Sequence, residues 1–164
     1  MCKMPVKIKN PTHNSHTWTP IEYYYSMVPC GNCDECFKAR QQMWWIRLKH
    51  ELKSATTAHF ITLTYNDEHL RRSDNGLLTC DKADLQNYFK RLRKREAGNT
   101  AIKYYACSEY GEHSQRPHYH AIIFNTRIEA NFSRAWRLKE QPIGLVHVGT
   151  VTDASIRYVT YRDW

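Results

Sequence analysis

The chain of 164 residues is long enough for one domain with its own core, and it contains neither an apolar run near the roughly 18 residues of a membrane span nor a signal peptide, which excludes a membrane partner and predicts an intracellular protein. Lys and Arg outnumber Asp and Glu by 24 to 16, and the chain carries 11 Tyr and 5 Trp. This balance favours a polyanionic partner, because cations pair with phosphates and rings stack on bases; the alternative is a basic protein whose charge only keeps it dispersed.

The predicted elements alternate between helices and strands along the chain. Residues 1–29 are rich in Pro, Asn, Thr, His and Tyr and show no lasting period, which predicts an extended arm with a short strand in IEYYYSMV. Helical or alternating spacing of apolar residues predicts helices at 34–53, 81–97, 131–140 and 153–164, and strands at 59–65, 101–110, 117–125 and 144–151. Because the two kinds of element interleave, we expect a single α+β domain over residues 30–164, with helices on an antiparallel sheet.

The predicted helix at 81–97 has one apolar face, suited to a core, and one basic face. The cations of the basic face are Lys90, Arg91, Arg93, Lys94 and Arg95. A run of this kind is usually a solvated surface; the alternative is that five neighbouring cations follow a nucleic-acid backbone.

The stretch RPHYHAIIF, residues 116–124, places two histidines on one face of a strand. Successive side chains of a strand point to opposite faces, so His118 and His120 lie on the same side while Tyr119 points away. Two imidazoles at this spacing can chelate a metal ion, although they can also be ordinary half-buried strand residues.

A third ligand is expected from the preceding strand of the predicted hairpin. Residues that flank a hairpin loop face each other across the ladder, and Glu109 therefore falls near His118. Two neutral imidazoles and a carboxylate suit Mn²⁺, Mg²⁺, Zn²⁺ or similar ions. The sequence thus predicts an open metal site of Glu109, His118 and His120.

Three of the six cysteines form the motif CGNCDEC. The spacing of Cys30, Cys33 and Cys36 suits zinc or part of an iron–sulfur cluster, but both need a fourth ligand. Cys107, Cys2 or a histidine can supply it. Free thiols packed in a turn before the first long helix are the alternative, and a secreted disulfide framework is not indicated.

The motifs FITLTY, SEYGEHSQRPHYHAIIF and a tyrosine on a late helix follow one another along the chain. This order resembles the HUH endonucleases, which are named for two histidines around a hydrophobic residue and which nick single-stranded DNA in rolling-circle replication. The series VPCGNCDEC, YYACSEYG, RPHYHAIIF and RYVTY, within residues 28–161, is further similar to the replication initiators of microviruses, especially of the gokushovirus branch.

The resemblance implies a central antiparallel sheet of about five strands with flanking helices, an RRM-like palm. It also implies one divalent ion, Mn²⁺ or Mg²⁺, at Glu109, His118 and His120, with Tyr158 and Tyr161 as candidate nucleophiles. The expected reaction is site-specific nicking and rejoining of a single-stranded DNA origin through a 5′ phosphotyrosine. The expected location is the cytoplasm of a bacterial host, whose replication machinery is a further candidate partner.

The chain departs from the family pattern at its tyrosines. In the phage group two tyrosines lie four residues apart with a lysine between them, whereas Tyr158 and Tyr161 lie three apart without one, a spacing that also suits two core aromatics. Phage initiators are longer, so we expect a nuclease domain that ends soon after its tyrosine helix. Arg116 is expected to clamp a DNA phosphate, with an ordinary loop cation as the alternative.

Two other functions fit parts of the pattern. CGNCDEC and the basic helix favour a zinc-stabilised, non-enzymatic nucleic-acid-binding protein. The metal site alone also suits a phosphodiesterase that activates water. A covalent protein–DNA adduct is expected only for the tyrosine nuclease.

Overall fold

The computed structural model describes residues 2–9, 25–96 and 101–161. The chain divides into two compact units, residues 1–44 and 45–164, with the boundary inside the first helix. The helices are α1 (Asp34–Ser54), α2 (Lys82–Arg95), α3 (Ala130–Ala135) and α4 (Asp153–Tyr161). The strands are β1 (Val6–Lys9), β2 (Tyr25–Val28), β3 (Ala58–Thr64), β4 (Lys103–Tyr110), β5 (Pro117–Phe124), β6 (Arg137–Leu138), β7 (Gln141–Pro142) and β8 (Val146–Thr150).

The first unit carries two short strands ahead of α1. β1 and β2 pair antiparallel, with Val6 opposite Val28. β2 lies within the stretch where the sequence predicts a short strand, whereas β1 is not predicted because four residues are too few to show a period. The rest of the predicted arm, residues 10–24, lies outside the described residues, and the assignment of 30–164 to one domain stays a prediction.

The second unit is built on a four-stranded antiparallel sheet in the order β4-β5-β3-β8. The predicted α+β class is confirmed. The sheet has four strands where about five are predicted, because the other short strands of the described residues pair as β1 with β2 and β6 with β7. The β4–β5 hairpin lies at one side of the sheet and carries the candidate metal ligands.

Alternation along β5 gives the sheet two different faces. Tyr119, Ala121 and Ile123 are fully buried in the hydrophobic core. Side chains of β3, α2 and the α3 region complete this core: Ile61, Leu63, Tyr88, Phe89, Leu92, Phe132 and Trp136. The opposite face carries His118 and His120, and α4 contacts β4 and β5 there. The core therefore supports the sheet from one side and leaves the other for polar ligands.

A buried hydrogen-bond network fixes Tyr119 and thereby the orientation of β5. The Tyr119 hydroxyl donates to the carbonyl of Asp81 at 2.8 Å and lies 2.8 Å from the Tyr65 hydroxyl. Tyr65 donates to Asp84, which also accepts hydrogen bonds from Arg71 at 2.8 and 2.9 Å. Burial acts to raise the pKa of the Asp84 carboxyl, but the hydrogen bonds from Arg71 and Tyr65 outweigh it and hold that pKa below its usual range.

The segment after α3 forms a small hairpin rather than the predicted helix. The prediction of a helix over 131–140 is correct only as far as Ala135. Lys139 and Glu140 adopt φ of 47° and 66°, which matches the two-residue turn that joins right-twisted strands, here β6 and β7. The pairing of these strands therefore overrides the helical pattern of the sequence.

Candidate metal centre

The β4–β5 hairpin places a carboxylate opposite a histidine. In its register Glu109 pairs directly with His118, and Cys107 pairs with His120. Side chains directly opposite each other in an antiparallel pair have Cβ atoms about 4.5–5.5 Å apart. The structure therefore brings Glu109, His118 and His120 together, as the sequence pattern predicts.

The three side chains converge on one point. Glu109 Oε2 lies 3.5 Å from His120 Nε2 and 3.8 Å from His118 Nε2, and the candidate ligand atoms all lie within 4.8 Å of one another. Glu109 and His120 are each 8% exposed, and the His118 side chain is 18% exposed. Oxygen and imidazole nitrogen at this spacing form a donor set that one divalent ion can accept.

Hydrogen bonds behind the two rings orient them towards this point. His118 Nδ1 lies 3.1 Å from the carbonyl oxygen of Arg116. A carbonyl can only accept, so Nδ1 carries the proton and the neutral ring presents the lone pair of Nε2 to Glu109. His120 Nδ1 lies 3.0 Å from the hydroxyl of Thr62. Acceptor atoms that face one another in a buried site are stabilised by a cation, and such second-shell contacts are typical of metal-ligating histidines.

Helix α4 brings a phenol to the cluster. Ile156, Val159 and Thr160 are buried, so the helix leaves Tyr158 on its other side, 38% exposed. The Tyr158 hydroxyl donates to Glu109 Oε2 at 2.6 Å, and its ring meets His120 edge to face, with ring centroids 5.2 Å apart. Of the two candidate tyrosines, Tyr158 is thus the one whose contacts with the cluster are established.

Tyr161 lies on the same helix, three residues beyond Tyr158, and is 60% exposed. The exposure of both phenols argues against the alternative that they are core aromatics. The backbone N–H of Ser155 donates to Thr152 Oγ1 at the start of α4, while Asp153 binds Lys49 at 2.9 Å. These contacts fix the end of the helix from which Tyr158 follows one turn later.

Thr62 is a residue that the sequence motifs do not reveal. It lies on β3 directly opposite His120, and Phe60 on the same strand stacks on the His120 ring at 5.3 Å with an interplanar angle of 16°. Alternation in HFITLTY predicts that Phe60 and Thr62 share a face, but the pairing partner of this strand cannot be read from the pattern.

Arg116 lies two residues before His118 and is already engaged in the structure. Its guanidinium binds Asp67 at 2.7 Å and donates to the carbonyl of Tyr65 at 3.0 Å. These contacts fasten the end of the hairpin to the segment after β3. A role of Arg116 in binding DNA stays a prediction.

The fold and the site together define an α+β domain with a carboxylate–dihistidine centre beside an exposed tyrosine. The family model of the replication-associated protein ORF2 matches residues 58–162, which include these four side chains. The chain belongs to this family, and the resemblance to phage replication proteins that the motifs indicate is confirmed.

Individual phage proteins show the same likeness. The chain is 38% identical over 105 residues to the replication-associated protein ORF2 of Spiroplasma virus 4, which covers 62% of this chain and 33% of that protein. It is 29% identical over 157 residues to the replication-associated protein ORF4 of Chlamydia phage 1, covering 85% and 38%. The chain thus spans about a third of the length of the curated relatives that it matches.

Among solved structures, the hypothetical protein ORF119 from Sulfolobus islandicus rod-shaped virus 1 superposes with a TM-score of 0.44 at 16% identity, covering 69% of this chain and 87% of that one. Within the described ranges of the present chain, no helix combines the length and the apolar character needed to cross a bilayer.

Proposed function

We propose that this chain is the endonuclease domain of a rolling-circle replication initiator, which nicks and rejoins single-stranded DNA through a 5′ phosphotyrosine at Tyr158. The observation that carries the proposal is the 2.6 Å hydrogen bond from the Tyr158 hydroxyl to Glu109, because it joins a nucleophile to the carboxylate–dihistidine cluster. Membership of a family whose relatives are replication-associated proteins of phages supports it.

The proposed cofactor is one divalent ion, Mn²⁺ or Mg²⁺, held by Glu109, His118 and His120. The residues fit such an ion, since a buried carboxylate oxygen and two imidazole nitrogens converge on one point. When bound, the ion would neutralise the nonbridging oxygens of a phosphate and polarise phosphorus for attack.

Tyr158 would supply the nucleophile. A phenol in water has a pKa near 10 and is a poor nucleophile at neutral pH, so its proton must be removed as it attacks. The hydrogen bond to Glu109 directs that proton towards a carboxylate, and the edge-to-face contact with His120 orients the ring. Its 38% exposure leaves the phenol accessible to a DNA strand.

In the proposed step, Tyr158 Oη forms a bond to phosphorus and the bond from phosphorus to the 3′ oxygen breaks. The phenol proton leaves towards Glu109, and the departing 3′ oxygen takes up a proton to become a hydroxyl. The phosphotyrosine conserves the energy of the broken linkage, so a new 3′ hydroxyl can reverse the attack and close a circle without a nucleotide cofactor. The substrate would be a single-stranded origin in the cytoplasm of a bacterial host, where host replication proteins would extend the free 3′ end.

Labelled single-stranded DNA tests this proposal. The full chain is incubated with Mn²⁺ and a pool of single-stranded oligonucleotides with randomised central bases, labelled at the 3′ end in one reaction and at the 5′ end in another. We expect an adduct that survives SDS and carries the 3′ label alone, because the tyrosine stays on the 5′ phosphate of the downstream fragment. EDTA should prevent its formation.

Matched tyrosine variants locate the nucleophile. Tyr158→Phe should abolish the adduct, whereas Tyr161→Phe should retain it. An adduct formed by Tyr158→Phe would disprove the assignment of Tyr158. Cleavage without any adduct would replace the proposal with a phosphodiesterase that activates water, and binding without cleavage under every divalent ion would replace it with a non-enzymatic nucleic-acid-binding protein.

A further inference from the structure

A second cluster of metal-ligating side chains lies in the first unit, separate in sequence from the candidate catalytic residues. The antiparallel register of β1 and β2 places Val6 opposite Val28. The segment before β1 and the segment after β2 therefore run together at the same end of the hairpin. This brings Cys2 to Cys30, whose backbone N–H donates to Cys2 Sγ at 3.3 Å.

The start of α1 adds two further thiols. Gly31 adopts φ of +80°, a conformation that favours glycine, and turns the chain between Cys30 and Cys33. Cys36 then follows in the first turn of α1, where the Phe37 backbone N–H donates to the carbonyl of Cys33 at 3.0 Å. The motif CGNCDEC is thus a tight turn that leads into a helix and points three sulfurs at Cys2.

The four sulfurs have the spacing of a tetrahedral site. Those of Cys33 and Cys36 lie 3.5 Å apart, those of Cys33 and Cys2 lie 3.8 Å apart, and those of Cys30 and Cys36 lie 3.9 Å apart. All four are within 4.8 Å of one another. Four thiolates at about 2.3 Å from one Zn²⁺ have sulfur atoms about 3.8 Å apart, in agreement with these distances. An iron–sulfur cluster must fit several irons and bridging sulfides between its thiolates, for which these sulfurs are too close.

The first unit also lacks the core that would hold it together without a staple. Among its described residues, Cys36 is the only apolar side chain that is buried, and Met4, Val6 and Met27 are 67, 47 and 61% exposed. A unit of about 40 residues with so little apolar burial usually depends on a metal or on disulfides. All four cysteines are free thiols. A salt bridge of 3.0 Å between Lys3 and Glu35 is a further fastening beside the cluster.

We propose that Cys2, Cys30, Cys33 and Cys36 bind one Zn²⁺ in a tetrathiolate site that holds the first unit in its folded state. Four S–H bonds break, four Zn–S bonds form, and the protons pass to solvent, without a change of oxidation state. Sequence reasoning leaves the fourth ligand open between Cys107, Cys2 and a histidine. The structure assigns it to Cys2, since Cys107 lies on β4 opposite His120.

Metal content and coordination test this site in the full chain. After purification with zinc and dialysis, we expect about one tightly held zinc per chain by inductively coupled plasma mass spectrometry, with four sulfur neighbours at about 2.3 Å in X-ray absorption spectra. Replacement by Co²⁺ should give the charge-transfer and d–d bands of a tetrahedral tetrathiolate. A chain that takes up neither metal through sulfur, or that holds iron in preference, would overturn the proposal, and these measurements need no variant.

Cysteine variants then identify the ligands. Cys2→Ser and Cys33→Ser should each lose the tightly held zinc, whereas Cys107→Ser and the matched control Cys80→Ser should keep it. Retention by Cys2→Ser together with loss by Cys107→Ser would overturn the assignment.

Proteolysis tests the structural role of the zinc. Chelation should expose residues 1–44 to limited proteolysis while residues 45–164 stay protected; equal protection of both units would contradict a structural role. The DNA adduct of Tyr158 is a separate readout, so this proposal can fail while the nuclease proposal holds, and the reverse.

Discussion

At the scale of single residues, Thr62 controls how His120 presents its ring to the metal cluster. Its hydroxyl lies 3.0 Å from His120 Nδ1, so Nε2 is left to face Glu109. Thr62→Val keeps the shape of the side chain and its fitness for a strand but removes the hydroxyl. Loss of a second-shell partner typically costs 10–100-fold in metal affinity, and we expect Mn²⁺ affinity to fall at least about tenfold by isothermal titration calorimetry.

The matched control for this prediction is Thr62→Ser, which retains a hydroxyl at the same position. It should bind Mn²⁺ nearly as well as the unmodified chain. If Thr62→Val binds the ion with unchanged affinity, the hydroxyl does not orient His120. A loss in both variants would point to packing on β3 rather than to the hydrogen bond.

The ease of predicting each residue of the site follows from its distance along the chain. Glu109, His118 and His120 lie in one hairpin, whose loop sets the register, so local alternation is enough to bring them together. Thr62 is 58 residues away from His120, and its contact depends on how β3 pairs with β5. The contact of Tyr158 with Glu109 spans 49 residues and depends on the packing of α4, so the sequence offers Tyr158 and Tyr161 equally.

At the scale of elements, the segment before β8 approaches β3 so closely that only glycine fits at position 144. The Thr64 backbone N–H donates to the carbonyl of Leu145 at 3.0 Å, and the Thr64 carbonyl accepts a hydrogen bond from Trp136 at 2.8 Å. A Cβ on Gly144 would stand 1.8 Å from the Thr64 oxygen. Gly144→Ala must therefore displace backbone, and we expect it to lower the free energy of unfolding in urea by about 3 kcal/mol.

Gly149→Ala is the control for this prediction, since it adds the same methyl group within β8. The nearest atom to its added Cβ would be the carbonyl oxygen of Phe60 at 3.7 Å, an ordinary contact. We expect this variant to change the free energy of unfolding by less than about 1 kcal/mol. Equal stability of the two variants would show that β3 and the segment before β8 separate without cost.

At the scale of the whole chain, the net charge of +8 gives a general attraction for nucleic acid, but the sheet of the second unit divides its cations. Helix α2 packs on the core face, and two cations of its predicted basic face are held in the fold. Arg91 donates to the carbonyl of Ala135 at 2.6 Å, and Arg93 lies over the ring of Tyr104 at 5.3 Å. Lys94 is exposed on this helix, whereas Arg116 lies beside the metal cluster on the hairpin.

This division predicts that equal losses of charge have unequal effects on DNA binding. If Arg116 contacts a phosphate, Arg116→Ala should weaken binding of single-stranded DNA and reduce the slope of log affinity against log salt by about 0.7, the value for one phosphate contact. Lys94→Ala removes the same charge from the core side of the sheet and should leave the slope unchanged. Fluorescence anisotropy with a labelled oligonucleotide in EDTA, between about 50 and 200 mM salt, measures both.

Asp67→Ala separates the charge of Arg116 from its structural contact. This variant breaks the 2.7 Å ion pair but keeps the guanidinium, so it should bind DNA as tightly as the unmodified chain or more tightly. If Asp67→Ala weakens binding as much as Arg116→Ala, then Arg116 acts only by fastening the hairpin to the segment after β3. If Lys94→Ala and Arg116→Ala lower the slope equally, binding depends on the overall charge rather than on the face that carries the cluster.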